Sequence, residues 1–214
     1  MIAIILLLLL LNFAISWFNA WSCGRSWNEA KLAGGFARFM VWMGAVMSAC
    51  GFTWCYLIVL AVVGNMIPYG QDPATGEHGL LVPHDAVIAS FELGYLVIIF
   101  PVLGSGLAIT MQSWAGFYRE RTFGSGAFAG YNTLAQLHNM VEAARAVPTF
   151  ANHLGKLFSG NGDARGKLLL VAVVLVVIAL VGGILTTASI IMSSARAQAE
   201  STRIRYGGLQ PSPA

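Results

Sequence analysis

The stretch "LLLVAVVLVVIALVGG", Leu168 to Gly183, contains only aliphatic residues and glycine. The uncharged sequence continues to Met192, which is longer than the roughly 20 apolar residues that a helix needs to cross a bilayer core. Lipid offers no hydrogen-bond partners to the backbone, so a crossing segment of this kind must be helical. The stretch therefore predicts a transmembrane helix over 168–192.

Three further segments have the same character: 2–21, 39–67 and 86–114. The second of these contains no charged residue, and the third contains a single acid, Glu92. Together with 168–192 they predict an all-α integral membrane protein, a four-helix transmembrane bundle that forms one membrane domain over 1–214.

The composition supports this class of protein. Of the 214 residues, 57% are hydrophobic and only 10% are charged, against roughly 25% charged in soluble domains. The three cysteines, Cys23, Cys50 and Cys55, are too few and too irregularly spaced for a paired disulfide framework or a zinc finger. A net charge of +3 is too small to indicate a nucleic-acid partner. The expected partner is the lipid bilayer.

Positive charge predicts the orientation, because Lys and Arg are retained on the cytoplasmic side. Of the 12 Lys and Arg residues, nine lie in the segments 22–38 and 115–167 and three lie in the tail, at Arg196, Arg203 and Arg205. Four crossings with both long basic segments inside place both termini on the outer side. The first span has no Lys or Arg before it, so we interpret it as an anchor and not as a cleaved signal. An Ala-, Gly- and Arg-rich composition favours a bacterial or phage protein of the bacterial inner membrane.

The long segment between the third and fourth spans predicts a cytoplasmic helical hairpin. "RTFGSGAFAG", 121–130, has the glycine content of a flexible connector, and helices are predicted over 131–147 and 149–159, separated at Pro148. In the first of these helices an apolar arc is formed by Tyr131, Leu134, Leu137, Val141 and Ala144, and an opposite polar arc by Asn132, Gln136 and Asn139. Such a hairpin suits the inner membrane interface or a docking surface for another protein.

Small residues recur at helical spacing in two of the spans. They are Gly44, Ser48 and Gly51 in the second span, and Gly182, Thr186 and Ser189 in the fourth. Close approach of small residues and hydrogen bonding by hydroxyls drive helix association in membranes, so these stripes predict helix-packing faces. The alternative is that the hydroxyls line a hydrated path.

The third span is polar along one strip. The strip consists of Glu92, Tyr95, Thr110 and Ser113, which fall on one side of the predicted helix together with Gly106. Since 93–111 alone nearly suffices for a crossing, we favour placing Glu92 at the outer headgroup boundary. A carboxylate paired within the bundle and a role on an ion path remain alternatives.

No complete catalytic or metal-binding pattern occurs. The outer loop carries Glu77, His78, His84 and Asp85, but these potential ligands do not repeat a known metal spacing. The sequence contains no HExxH, GxSxG or CxxC motif. We therefore expect no enzyme activity, no catalytic residue, no cofactor and no metal.

These features predict a structural or assembly subunit of a homo- or hetero-oligomeric membrane complex, which associates with itself or with other membrane proteins. The alternative is an ion or proton channel, or a small transporter subunit, that uses the polar strip of the third span.

Overall fold

The computed structural model describes residues 2–71, 78–159 and 163–207. Within these ranges there are five helices and one antiparallel two-stranded hairpin. In chain order they are α1 (Ile2–Ala33), α2 (Gly35–Met66), β1 (Pro68–Gln71), β2 (His78–Leu80), α3 (His84–Glu120), α4 (Phe123–Phe158) and α5 (Asp163–Gly207).

The four predicted spans lie in α1, α2, α3 and α5. Each of these helices is long and apolar enough to cross a membrane, which indicates a membrane protein. The helices extend well beyond the predicted spans. The expected connection 22–38 is helical except at Gly34, whose φ of 104° lies in a region that glycine adopts without steric cost.

The predicted helical hairpin after the third span is absent, because one helix, α4, runs through the whole segment. Proline removes the backbone donor that would bond to the carbonyl four residues earlier, yet Pro148 lies inside α4. The Thr149 hydroxyl donates to the Arg145 carbonyl at 3.2 Å, which supplies a local hydrogen bond next to the proline. The helix therefore continues where the sequence predicted a break.

The predicted glycine-rich connector is also largely helical. α3 ends at Arg121, which has φ 50° and donates its N–H to the Phe117 carbonyl at 2.7 Å. Thr122 then caps α4: its hydroxyl accepts from the Ser125 N–H at 3.2 Å, while its own N–H donates to the Ser125 hydroxyl at 3.3 Å. This reciprocal capping box reduces the connection between α3 and α4 to two residues.

Small residues bring α1, α2 and α5 into close contact. A side chain added at Gly51 would meet the Ser16 hydroxyl, and one added at Gly183 would meet the Ala49 carbonyl at 2.7 Å. Hydroxyls bond across the same contacts, since Ser48 donates to the Ser16 carbonyl at 2.7 Å. The bundle core is thus built from backbone proximity and hydroxyl bonds, as expected for helices that associate in lipid.

The structure places the predicted packing residues as follows. Gly44 lies against Cys23 of α1, and Gly182 lies against the ring of Tyr56. The Thr186 hydroxyl is 2.8 Å from the Tyr56 hydroxyl. Ser189 is exposed and contacts no neighbouring helix through a hydrogen bond, because the buried stripe of α5 passes through Gly183 and Thr187.

The helices alternate in direction, so the two described ends of the chain lie at opposite ends of the bundle. The hairpin end contains β1 and β2, and there Ala89, Leu154 and Ala172 pack together near the start of α3, the end of α4 and the start of α5. The turn end contains Arg121, and there Gly24 of α1 lies against Ser194 of α5. The expectation of both termini on one side of the membrane counted four crossings and stays a prediction.

Candidate functional site

α4 packs antiparallel along α3 and covers the polar strip predicted there. Three contacts fix the register: His153 Nδ1 to Glu92 Oε2 at 2.6 Å, Gln136 Nε2 to the Leu103 carbonyl at 2.9 Å, and Trp114 Nε1 to Thr133 Oγ1 at 2.9 Å. They lie in reverse order along the two helices, so the contact runs from the hairpin end to the turn end.

The other predicted strip residues also face α4 or bond within α3. The Tyr95 ring lies edge-on to Phe150 at 5.4 Å between centroids. The Thr110 hydroxyl lies 2.8 Å from the Gly106 carbonyl and 3.2 Å from the Asn132 carbonyl. The buried Ser113 donates to the Thr110 carbonyl at 2.8 Å.

Glu92 is paired with His153 of α4, and its position at the headgroup boundary stays a prediction. Its side chain is 12% exposed and accepts from His153, which is 48% exposed. Hydrogen bonds that involve an ionised partner are shorter and stronger than neutral ones. The pair therefore joins the start of α3 to the end of α4. This pairing could be identified only from the tertiary structure.

A groove runs along α4 over α2 and α3, and α1 borders its part towards the turn end. Most of its lining is apolar, and it is named the polar groove for the amide side chains that it contains. It consists of two cavities of about 610 and 720 Å³. Both are lined by Trp54, Tyr95, Ile99 and Asn139, so they adjoin each other. The cavity nearer the hairpin end also contains Glu92, His138 and Glu142; the one nearer the turn end also contains Asn12, Ser16, Asn19, Asn132 and Gln136.

Five side-chain amides lie in the part of the groove towards the turn end. Asn12 Nδ2 donates to the Gly51 carbonyl at 3.1 Å, and Gln136 is only 7% exposed. Among the described residues, two buried side-chain atoms have no hydrogen-bond partner: Asn132 Nδ2 and Gln136 Oε1. A buried unpaired polar atom costs about 1–3 kcal/mol. Both belong to residues that line the groove.

An exposed ion pair lies on α4 beside the groove, and Glu142 is the member of the pair that lines it. Arg145 Nη1 is 3.4 Å from Glu142 Oε1, and the side chains are 74% and 47% exposed. The pair falls between the Gln136–Leu103 and Tyr95–Phe150 contacts. Its neighbours on α3 therefore belong to the uncharged sequence between Glu92 and Arg119.

The amphipathic pattern of α4 is inverted relative to a helix at a protein–water boundary. Its apolar arc, from Tyr131 to Ala144, is exposed, whereas Gln136 is buried and Asn132 and Asn139 are partly buried. The sequence predicted both arcs but not the direction in which each one faces. Asn132, Gln136 and Asn139, spaced by four and three residues, lie on one face of the helix. This spacing was the sequence feature that could have indicated an inward polar face.

The described residues contain no group of three or more His, Cys, Asp and Glu side chains that could hold a metal ion. Glu77, which the sequence analysis considered with the outer-loop ligands, lies outside the described residues. Cys23, Cys50 and Cys55 are free thiols buried among the helices.

The fold and the groove define the class as a helical protein with four candidate membrane spans and a fifth helix packed on the third. Comparison with protein-family models, characterised proteins and solved structures found no match to this chain. The function must therefore be argued from the site itself.

Proposed function

We propose that this chain is an assembly subunit of a membrane complex and that it associates with a second copy of itself through the polar groove. The observation that carries the proposal is the exposed Glu142–Arg145 pair beside an uncharged part of α3. Insertion scales assign roughly 2.5–3.5 kcal/mol to a single such charge at mid-bilayer. A surface of this kind needs a polar partner, and a second copy supplies one.

The chemistry of the groove is self-complementary. In a pair of subunits related by a two-fold axis along the membrane normal, each residue meets residues at its own depth. Side-chain amides both donate and accept, so the partly exposed Asn19 and Asn139 can bond to the same amides of a second copy. Glu142 and Arg145 are separated by about 4.5 Å along the helix, which allows each to pair with its opposite across the axis.

The small-residue stripes support this choice of surface. Most of their members are used within the chain to pack α1, α2 and α5. The polar groove retains the partly exposed amides of Asn19 and Asn139, so it is the better candidate for association. The proposal includes no catalytic reaction, no cofactor and no nucleic-acid partner, and the expected location remains a bacterial inner membrane.

The test is the subunit count of the purified chain in lipid nanodiscs, measured by native mass spectrometry. We expect dimers or larger assemblies. Arg145→Glu and Glu142→Arg should each weaken association at least tenfold, about 1.4 kcal/mol, whereas an equal mixture of the two variants should restore it as a mixed dimer. The control is Arg165→Glu, a charge reversal at an exposed position outside the groove. A monomeric wild-type particle would refute the proposal.

A second candidate function is a proton or cation path, and the Glu92–His153 pair favours it specifically. Two ionisable groups at 2.6 Å adjoin a cavity that also contains Glu142 and His138, and ionisable chains between membrane helices often form proton relays. In reconstituted vesicles Glu92→Gln should abolish proton flux, while Glu120→Gln at the turn end should not change it. Equal flux in Glu92→Gln and wild type excludes this function.

A further inference from the structure

The outward face of α4 is apolar over most of its middle. Tyr131, Leu134 and Leu137 are exposed by 66%, 68% and 56%, while the polar side of the helix faces α3 and the groove. A helix at an aqueous surface has the opposite arrangement. An apolar outward face and a polar inward face are expected for a helix that contacts hydrocarbon on one side and a polar interior on the other.

The length and position of α4 match a membrane crossing. Its 36 residues span about 54 Å at 1.5 Å per residue, more than the roughly 30 Å hydrocarbon core. It contacts α3, a candidate span, from Phe117–Gly126 at the turn end to Glu92–His153 at the hairpin end. If α3 crosses the bilayer, a helix aligned along it to this extent crosses as well.

We infer that α4 is a fifth membrane-spanning helix whose exposed apolar face contacts lipid acyl chains, so that α5 ends on the side opposite to the start of α1. This inference rests on the fold and does not depend on self-association. The sequence criterion for spans misses α4 because Asn, Gln, His, Glu and Arg side chains lower its mean hydropathy. Asn132, Gln136 and Asn139 face inward, and Arg145 is paired with Glu142.

The fifth crossing moves the exception in the charge distribution from the tail arginines to Lys156, Arg165 and Lys167. At the turn end lie Arg25, Lys31, Arg38, Arg119, Arg121, Arg196 and Arg203; at the hairpin end lie Lys156, Arg165 and Lys167. The tail arginines now join the larger group, whereas four crossings placed them against it. The positive-inside rule then assigns the turn end to the cytoplasm and the start of α1 to the outer side.

The experiment uses full-length variants with the three native cysteines replaced by alanine and a single new cysteine at an exposed position. The positions are Tyr69→Cys, Phe123→Cys, Ser159→Cys and Ser201→Cys. Each is labelled with a membrane-impermeant thiol reagent in intact cells and in inverted vesicles. We expect Tyr69→Cys and Ser159→Cys to react from outside, and Phe123→Cys and Ser201→Cys from the cytoplasmic side.

A four-span arrangement gives a different pattern. Phe123→Cys and Ser159→Cys would then react from one side, and Tyr69→Cys and Ser201→Cys from the other. That pattern, or labelling of all four positions from one side, overturns the inference. The subunit count that tests self-association is a separate measurement, so the outcomes of the two tests can be distinguished.

Discussion

Gly183 shows how much of the bundle depends on single residues. The nearest groups to its missing side chain are the hydroxyl of Thr53 and the backbone of Ala49 and Thr53 in α2. Backbone atoms cannot rotate away as a flexible side chain can. The α2–α5 contact therefore requires a glycine here, and no larger residue fits without separating the helices.

We expect Gly183→Ala to destabilise the protein by about 1–3 kcal/mol, the usual cost of overpacking a core. The matched control is Gly104→Ala in α3, which has no atom within 4 Å of the added methyl group and should be neutral or slightly stabilising because alanine favours helix. The thermal midpoint in mild detergent reports both. Equal midpoints for the two variants would contradict close α2–α5 packing.

At the scale of the element, α4 is the helix that changes the interpretation of the chain. The sequence showed its periodicity correctly, but Pro148 and the glycines near its start indicated breaks. The Thr122–Ser125 capping box defines the actual beginning, and packing on α3 keeps the helix continuous through the proline. Tertiary contact thus overrides local propensity along this segment.

The capping box gives a prediction for α4. Thr122→Ala removes the hydroxyl that accepts from the Ser125 N–H and should cost about 1 kcal/mol, whereas Thr122→Ser keeps the hydroxyl and should cost much less. Thermal unfolding of both variants measures the difference. If both lose stability equally, the methyl group and not the cap matters at this position.

At the scale of the whole molecule, the polar groove exists because α4 packs along α3 and forms one of its walls. α4 adds Asn132, Gln136 and Asn139 to the groove and places the exposed ion pair beside it, and a second copy would cover this surface. Folding and association are then linked, because a partner that binds only the folded chain stabilises it by mass action.

This linkage predicts a concentration-dependent stability. Dilution of the wild-type protein in nanodiscs or detergent should lower its thermal midpoint, since dissociation uncovers the groove. Arg145→Glu should show a lower midpoint that changes little with concentration. A wild-type midpoint that is constant over a hundredfold dilution would argue against a groove closed by a second copy.

The sequence by itself determined the helical class and the four apolar helices, because long uncharged segments can satisfy their backbone in only a few ways. It also identified the polar strip of α3 and most of the small residues that pack α1, α2 and α5, since these depend on spacing along one helix. Only the tertiary structure decided which way the two arcs of α4 face, that Glu92 meets His153, and that Ser189 is left outside the packing. The first two of those outcomes depend on how α4 packs against α3 after the turn at Arg121. The periodicity of a sequence shows which residues share a face of a helix, but it does not show which other helix that face will contact.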